Sequence, residues 1–432
     1  MKAELRYVWF ALLLTWSACA SCKGGLRVGT PQPGAAGSAS TPAATGGKGG
    51  SAAEGGENSP TSGRAGAATG GNAANPRAGN QVAPRATLGE WVDVTPPAMR
   101  AAIDAVESSM RYGVQDILVD PARPSDVYAF VCYAGVWRSE DAGLTWRKVS
   151  QTKELETGRP WAAAIESNRA RDASTPPKLY TMNGYGNPLG IFTSTDWGVT
   201  WTQHALQVPE GEDAYSIDVN PYDSQHLLVG FHESRGLIES TDGAQTWKSI
   251  RVPADAGVSV YAFFVDTGNA GTTRQTWLSV PQADTSSPTY RTQDAGERWT
   301  KVESFGHSHG TCQIFQQGDG VIYAGGLYGS AGNSIYRSTD HGKTWKGVAD
   351  VLSTTIIGSS KHLYSTNAQA WGPGSAGLHR ATRANGTDWQ AVTNPPGMTD
   401  GAKRALATTD KEGRQVIVSG HWKAGIWRYV EP

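Results

Sequence analysis

Beyond residue 90 the apolar residues come in short runs. AGVWR (134–138), LGIFT (189–193), RGLIE (235–239), SPTYR (287–291), NSIYR (333–337), AGLHR (376–380) and AGIWR (424–428) are the clearest. Runs this short, rich in aromatic and β-branched residues and bounded by Gly, Pro, Asn or Asp, predict strands and not helices. Longer segments such as ILVDPARPSDVYAF (117–130) and IDVNPYDSQHLLVGF (217–231) read as two strands folded back at an Asp-Pro or Asn-Pro turn.

An octapeptide follows each of the first six runs: SEDAGLTW (139–146), STDWGVTW (194–201), STDGAQTW (240–247), TQDAGERW (292–299), STDHGKTW (338–345) and TRANGTDW (382–389). The pattern is Ser-x-Asp-x-Gly-x-Thr-Trp. In the third copy the glycine moves forward to Gly243. The fourth has Arg298 for Thr, and the sixth has Ala384 for Asp and Asp388 for Thr. Asp can accept N–H bonds inside a turn, Gly permits positive φ, and Trp supplies apolar surface, so the octapeptide predicts a hairpin turn with a structural role. A short strand follows each Trp.

Two fragments are left over. AGIWR ends the chain with no octapeptide after it, and WVDVTPP (91–97) opens the folded region with none before it. They are complementary halves of one unit. The spacing from Trp to Trp, 44 to 55 residues, fits a four-stranded blade. The prediction is an all-β fold: a seven-bladed β-propeller of four-stranded antiparallel blades, closed by the N-terminal strand pairing into the last blade.

Composition sharpens the boundaries. Between Trp16 and Trp91 there is no aromatic residue, and residues 23–86 are dominated by Gly, Ala, Ser, Thr and Pro. Such a segment cannot bury enough apolar surface to offset its ordering entropy and is expected to be a disordered linker. The propeller then spans residues 87–432. At the N-terminus, Lys2 and Arg6 precede the apolar run Val8–Leu14 and the small-residue stretch TWSACASC, the layout of a signal peptide over residues 1–22. Cys19 or Cys22 could carry a lipid, or cleavage could follow Ala18 or Ala20. In every case the expectation is an exported protein, secreted or lipid-anchored to the cell envelope. Of the other two cysteines, Cys132 and Cys312 fall on different blades, which favours free buried thiols over a bridge. The net charge of −1, with no basic cluster, argues against a nucleic-acid partner, and no membrane contact is expected beyond a lipid anchor. A monomer without cofactor or metal is expected.

The Ser-x-Asp-x-Gly-x-Thr-Trp turn resembles the Asp-box, or BNR repeat, of sialidases, xyloglucanase-type glycoside hydrolases, sortilin-type receptor domains and photosystem assembly factors. The resemblance covers nearly all of 91–432 and implies the propeller fold. It also implies that the boxes lie away from the active face. Sialidases carry an Arg-Ile-Pro motif near the start, which this chain lacks. Xyloglucanase-type enzymes carry a catalytic Asp between the second and third strands of blade one, where this chain has VCYAGVW (131–137), with Cys132 near that position.

In a propeller one face is built from the loops leading into each innermost strand and those between the second and third strands. Here those loops hold Tyr133, Arg159, Trp161, Asn183, Tyr185, His232, Arg235, His307, His309, Tyr328, Asn367, Trp371, His421, Trp422 and Lys423, with Tyr112, Tyr215, Lys403 and Arg404 beside them. Aromatic platforms and forked polar donors suit sugar rings. The same tryptophans could instead cap the core. His307 and His309 point the same way on an extended segment, but two ligands do not make a zinc site. Glu233, Asp284 and Asp213 are the candidate catalytic carboxylates. A pair about 6.5–9.5 Å apart would suit an inverting glycosidase and about 5 Å a retaining one. Alternatively Glu233 pairs with Arg235, and Asp284 is a solvated loop tip. Two functions remain open on the sequence: a carbohydrate-binding or carbohydrate-processing protein, or a non-enzymatic scaffold that binds a protein or peptide.

Overall fold

The computed structural model describes residues 87–432 apart from 108–111, 168–170, 185–189, 207–212, 233–235, 258–259, 282–287, 304–312, 326–334, 350, 352, 354 and 367–376. It is all-β in its core architecture. Seven four-stranded antiparallel sheets follow one another along the chain, each running from an innermost to an outermost strand. The innermost strands are Val114–Asp120, Pro160–Ile165, Ala214–Asn220, Val260–Phe264, Ile314–Gln316, Thr355–Gly358 and Ala402–Thr409. Among the described residues three short helices decorate the sheets.

The last blade is closed as predicted, by pairing Trp91 with Tyr429, Val92 with Arg428 and Asp93 with Trp427. The Trp91 ring packs 5.2 Å from Tyr429, centroid to centroid. The closing strand is shorter than WVDVTPP, ending at Asp93. Pro96 and Pro97 have no N–H for a ladder, and Pro97 instead opens a helix, Pro97–Ala105, that buries Met99 and Ile103. Arg100 on that helix donates to the carbonyls of Lys423 and Ala424, clasping the seam a second time.

Each octapeptide is the turn between the third and fourth strands. In the first, Asp141 Oδ1 accepts the N–H groups of Leu144 and Thr145 at 3.0 and 2.8 Å, and Oδ2 accepts the Thr145 hydroxyl at 2.6 Å. Two successive residues are left-handed, Ala142 at φ 56° and Gly143 at φ 80°. The turn therefore needs positive φ at one position more than the glycine suggested. The variants keep the chemistry. Arg298 Nε donates to Asp294 Oδ2 at 2.7 Å in place of the missing Thr hydroxyl. In the sixth copy the carboxylate has moved: Asp388 accepts from the Thr382 amide and hydroxyl at 3.0 and 2.8 Å. The box tryptophans pack between blades, Trp201 edge-on to Phe130 of blade one and Trp146 in a cluster with Val418 of blade seven.

The innermost strands turn one backbone edge to the central channel, and those edge groups need partners. Side chains supply them across blades. Asp116 accepts the Ala163 N–H at 2.9 Å, Ser216 the Ala262 N–H at 3.3 Å and Asp218 the Phe264 N–H at 2.8 Å. Gln313 donates to the Ala405 carbonyl at 2.7 Å. Among the described residues no helix is long and apolar enough to cross a membrane.

Candidate functional site

Four innermost strands start with a β-bulge at their second residue: Gln115, Trp161, Tyr215 and Lys403. A bulge re-aims the extra side chain. Here all four gather at the end of the channel where the strands begin. With Tyr112, Tyr261 and Trp422 they build an aromatic plug. Tyr112 meets Trp161 and Trp422 edge-on at 5.3 and 4.9 Å, and Trp161 stacks on Tyr215 at 5.2 Å. The Trp422 indole N–H donates to the Gln115 side-chain oxygen. Lys403 is buried with its Nζ 3.4 Å from the centre of the Trp422 ring. Burial drives its amine down to about 7, with Asp400 pulling the other way.

Tyr133 and Arg159 lie over this plug, both half-buried. Arg159 Nε donates to the Tyr133 hydroxyl at 2.5 Å, and its guanidinium faces the Tyr112 and Tyr133 rings at 5.5 and 5.6 Å. Tyr133 is left-handed, with φ 60°, held there by its N–H bond to the Gly158 carbonyl at 2.7 Å. Strain of this kind in a bulky residue collects at ligand sites. Beneath them the Cys132 thiol is free and buried, and burial pushes it up to about 12. On blade three, Asp213 Oδ2 lies 3.2 Å from His232 Nδ1, and the imidazole stacks on Tyr215 at 4.7 Å.

The structure thus brings together Tyr133, Arg159, Trp161 and Trp422, and joins Asp213 and His232 to the same plug through Tyr215. Trp161 and Trp422 are buried in it, their rings engaged by one another and by Tyr112. Lys423 is exposed nearby on the blade-seven loop. Asn183 and His421 are held inside the scaffold. Asn183 Nδ2 donates to the Glu154 carbonyl, while His421 uses Nδ1 on the Asp400 carbonyl and Nε2 on the Ser419 hydroxyl. Glu233, Asp284, Tyr185, Arg235, His307, His309, Tyr328, Asn367, Trp371 and Cys312 lie outside the described residues. Gln115 and Tyr261 are plug residues beyond those the loops suggest; like Trp161, Tyr215 and Lys403 they stand at the second position of an innermost strand. Aligning V-Q-D-I, P-W-A-A, A-Y-S-I, V-Y-A-F and A-K-R-A across the blades would have found the position they share.

Below the plug is a cavity of about 200 Å³ lined in part by Asp116, Asp218, Gln313 and Arg404. Burial raises both carboxyls, Asp218 to about 7, and Arg404 opposes this in each case. Arg404 Nε is 3.5 Å from Asp116 Oδ1. These carboxylates cap strand edges. Among the described residues no group of three His, Cys, Asp or Glu side chains is arranged to hold a metal ion.

A family model described as BNR-Asp box repeat matches residues 335–348, the fifth turn with the strand before it. A xyloglucanase of Acetivibrio thermocellus is 24% identical over 286 residues, 55% of this chain and 32% of its own length. An oligoxyloglucan-reducing end-specific xyloglucanase of Emericella nidulans is 30% identical over 201 residues, 44% of this chain and 24% of its own. The chain spans about a third or less of the curated relatives it matches. Among solved structures, the GH74 enzyme of Niastella koreensis superposes with a TM-score of 0.54 at 18% identity, over 74% of this chain and 53% of that one. With its repeated box turns and seven four-stranded blades, the chain is an Asp-box, or BNR-repeat, β-propeller.

Proposed function

We propose that the propeller binds polysaccharide across its plugged, loop-lined face and processes it there, with xyloglucan as the first polymer to test. The observation that carries this reading is the sequence similarity to xyloglucanases over 55% of the chain. The face supports it. Tyr133 and Arg159 offer an aromatic ring and a forked donor above a rigid aromatic floor, the pairing that a sugar's C–H face and in-plane hydroxyls require. Asp213, oriented by His232, is the described carboxylate at this face. Glu233 and Asp284 are the candidates for general acid. Cys132 near the place of the family's catalytic Asp means that any hydrolysis uses a different carboxylate. Residues 1–22 would export the chain, with residues 23–86 as its tether.

The test measures the purified chain for retention in native gels containing xyloglucan and for release of reducing sugar from it. Retention is expected, and Glu233→Gln should lower any release by about two orders of magnitude or more without changing retention. A chain that is neither retained by nor active on xyloglucan or other β-glucans, but captures a surface protein, would overturn the proposal in favour of a scaffold.

A further inference from the structure

The rim of the propeller carries a second constructed site. A cavity of about 400 Å³ opens between blades three and four, at the opposite end of the strands from the plug. Glu239, Trp247 and Lys248 line it from blade three, and Arg274 and Gln275 from blade four.

Two departures from the repeat coincide there. The first concerns Trp247. In four boxes the indole N–H donates to the carbonyl three residues back, at 3.0 to 3.2 Å: Trp146, Trp201, Trp345 and Trp389. Trp299 donates instead to the Arg251 carbonyl at 2.9 Å. The Trp247 N–H is buried without an acceptor. This is the box in which the glycine has moved to Gly243, leaving Ala244 left-handed at φ 76°. A buried unsatisfied donor calls for an explanation, and a ring without its anchor can be reset by a ligand.

The second concerns Glu239. The residue just before the box is Arg138 on blade one, Arg291 on blade four and Arg337 on blade five. On blade three its charge is reversed. Beneath Arg138 lies buried Asp126, and beneath Glu239 lies His226, itself fully buried. His226 Nε2 is 2.8 Å from Glu239 Oε1, and its Nδ1 is 3.1 Å from Asn220 Nδ2. The Asn220–His226–Glu239 chain fixes one carboxylate at the wall of the cavity, with its side chain only 11% exposed. The corresponding groove on blade five has Arg337 in place of Glu239, an anchored Trp345 and a volume of about 230 Å³.

We infer that the groove between blades three and four is a second carbohydrate-binding site, taking one or two neutral sugar units of the same polymer. The inference rests on the polysaccharide reading of the loop face. Trp247 supplies a ring, Glu239 a fixed acceptor, and Arg274 and Gln275 exposed donors, in a volume within the range of small-ligand pockets. The charges favour a neutral ligand: Glu239 faces His226, and Lys248 faces Glu297 at 3.8 Å. A site on the rim would hold polymer strands beyond the loop face and raise retention through multivalency.

The experiment compares the full chain with Glu239→Gln, Arg274→Ala and Arg159→Ala in native gels containing xyloglucan, with thermal unfolding as a control. Arg274 is exposed, so its variant is expected to fold whatever happens to the Glu239–His226 pair. Each rim variant should weaken retention about tenfold or more, the loss expected for one charged hydrogen bond, and Arg159→Ala should weaken it independently. If Arg274→Ala and Glu239→Gln are retained like the parent while Arg159→Ala is not, the rim site is wrong and the loop face stands. If only the rim variants lose retention, the rim site stands and the loop face falls. A parent chain that is not retained overturns both.

Discussion

The box turns and the loops at the other end of the same blades come from one repeat but have been used in opposite ways. At the box end, three substituted copies still keep a carboxylate as the acceptor inside the turn: Asp294 with Arg298 for a Thr, Asp388 for a displaced Asp, and Asp242 beside the shifted Gly243. At the loop end, the second residue of the innermost strand ranges over an amide, an ammonium and aromatic rings: Gln115, Lys403, Trp161, Tyr215 and Tyr261 in five of the blades. The contrast teaches that a repeat is conserved in its geometry where it closes a turn and is free to vary where it faces the channel mouth. Where the box end does depart in kind, at Trp247 and Glu239, a binding role is the reading that follows.

The largest effect belongs to neither end but to the seam that holds both. Removing residues 1–97 should lower the thermal midpoint by about 10 °C or more, because the last blade loses its outer strand and exposes an edge. Removing residues 1–86 should leave the midpoint unchanged, and equal midpoints for the two truncations would show that Trp91–Asp93 does not close the ring. Next, Asp141→Ala should cost about 1–3 kcal/mol in urea unfolding, since it strips acceptors from a turn. Asp213→Ala should cost about 0.5 kcal/mol or less, because its side chain is 25% exposed, yet reduce xyloglucan retention. A reversed pattern would mean that the two ends have been assigned the wrong way round.

The pH response separates the channel from the rim. Asp218 has a folded-state value raised by burial to about 7, so its contribution is fully present below its ordinary value of 3.8 and is lost as pH rises through 7. Burial pushes the Asp242 carboxyl, in the third box, upward, but its hydrogen bonds to Thr246, Ser240 and the Gln245 amide together hold it down to about 2. Its contribution is present above 3.8 and is lost as pH falls through 2. Urea unfolding from pH 3 to 8 should therefore show an alkaline decline that Asp218→Asn flattens. An acid decline below pH 4 should be reduced by Asp242→Asn. The smallest expected effect is Arg298→Thr, which restores the common box residue and should change stability by about 0.5 kcal/mol or less. A large loss would show that the Arg298–Asp294 bond does more than stand in for a hydroxyl.

The ring was legible because its signals are local and repeated. Short runs, boxes with Asp, Gly and Trp in register, and two orphan half-blades required seven sheets and a closing strand. The helix at Pro97–Ala105 is hidden when WVDVTPP is read as continuous strand, although its two prolines cannot pair. The plug was half legible. Tyr112 and Trp422 sit in loops and Trp161 beside one, whereas Gln115 and Tyr261 sit inside strands, and only the bulges, which depend on three-dimensional register, turn Gln115 to the mouth. The channel carboxylates Asp116 and Asp218 were silent in the sequence, because their task of capping edge N–H groups on the next blade arises only once the ring exists.

The seam has a consequence in time. Trp91–Asp93 is made more than 330 residues before its partner Ile426–Val430. At usual ribosomal speeds the closing strand waits roughly 15–60 s for its mate. Until then six blades can stack, but the circle stays open, with two raw strand edges facing outward. Closure is therefore a late step governed by the meeting of two distant segments, and it is the step at which a stalled chain is most exposed to pairing with a neighbour.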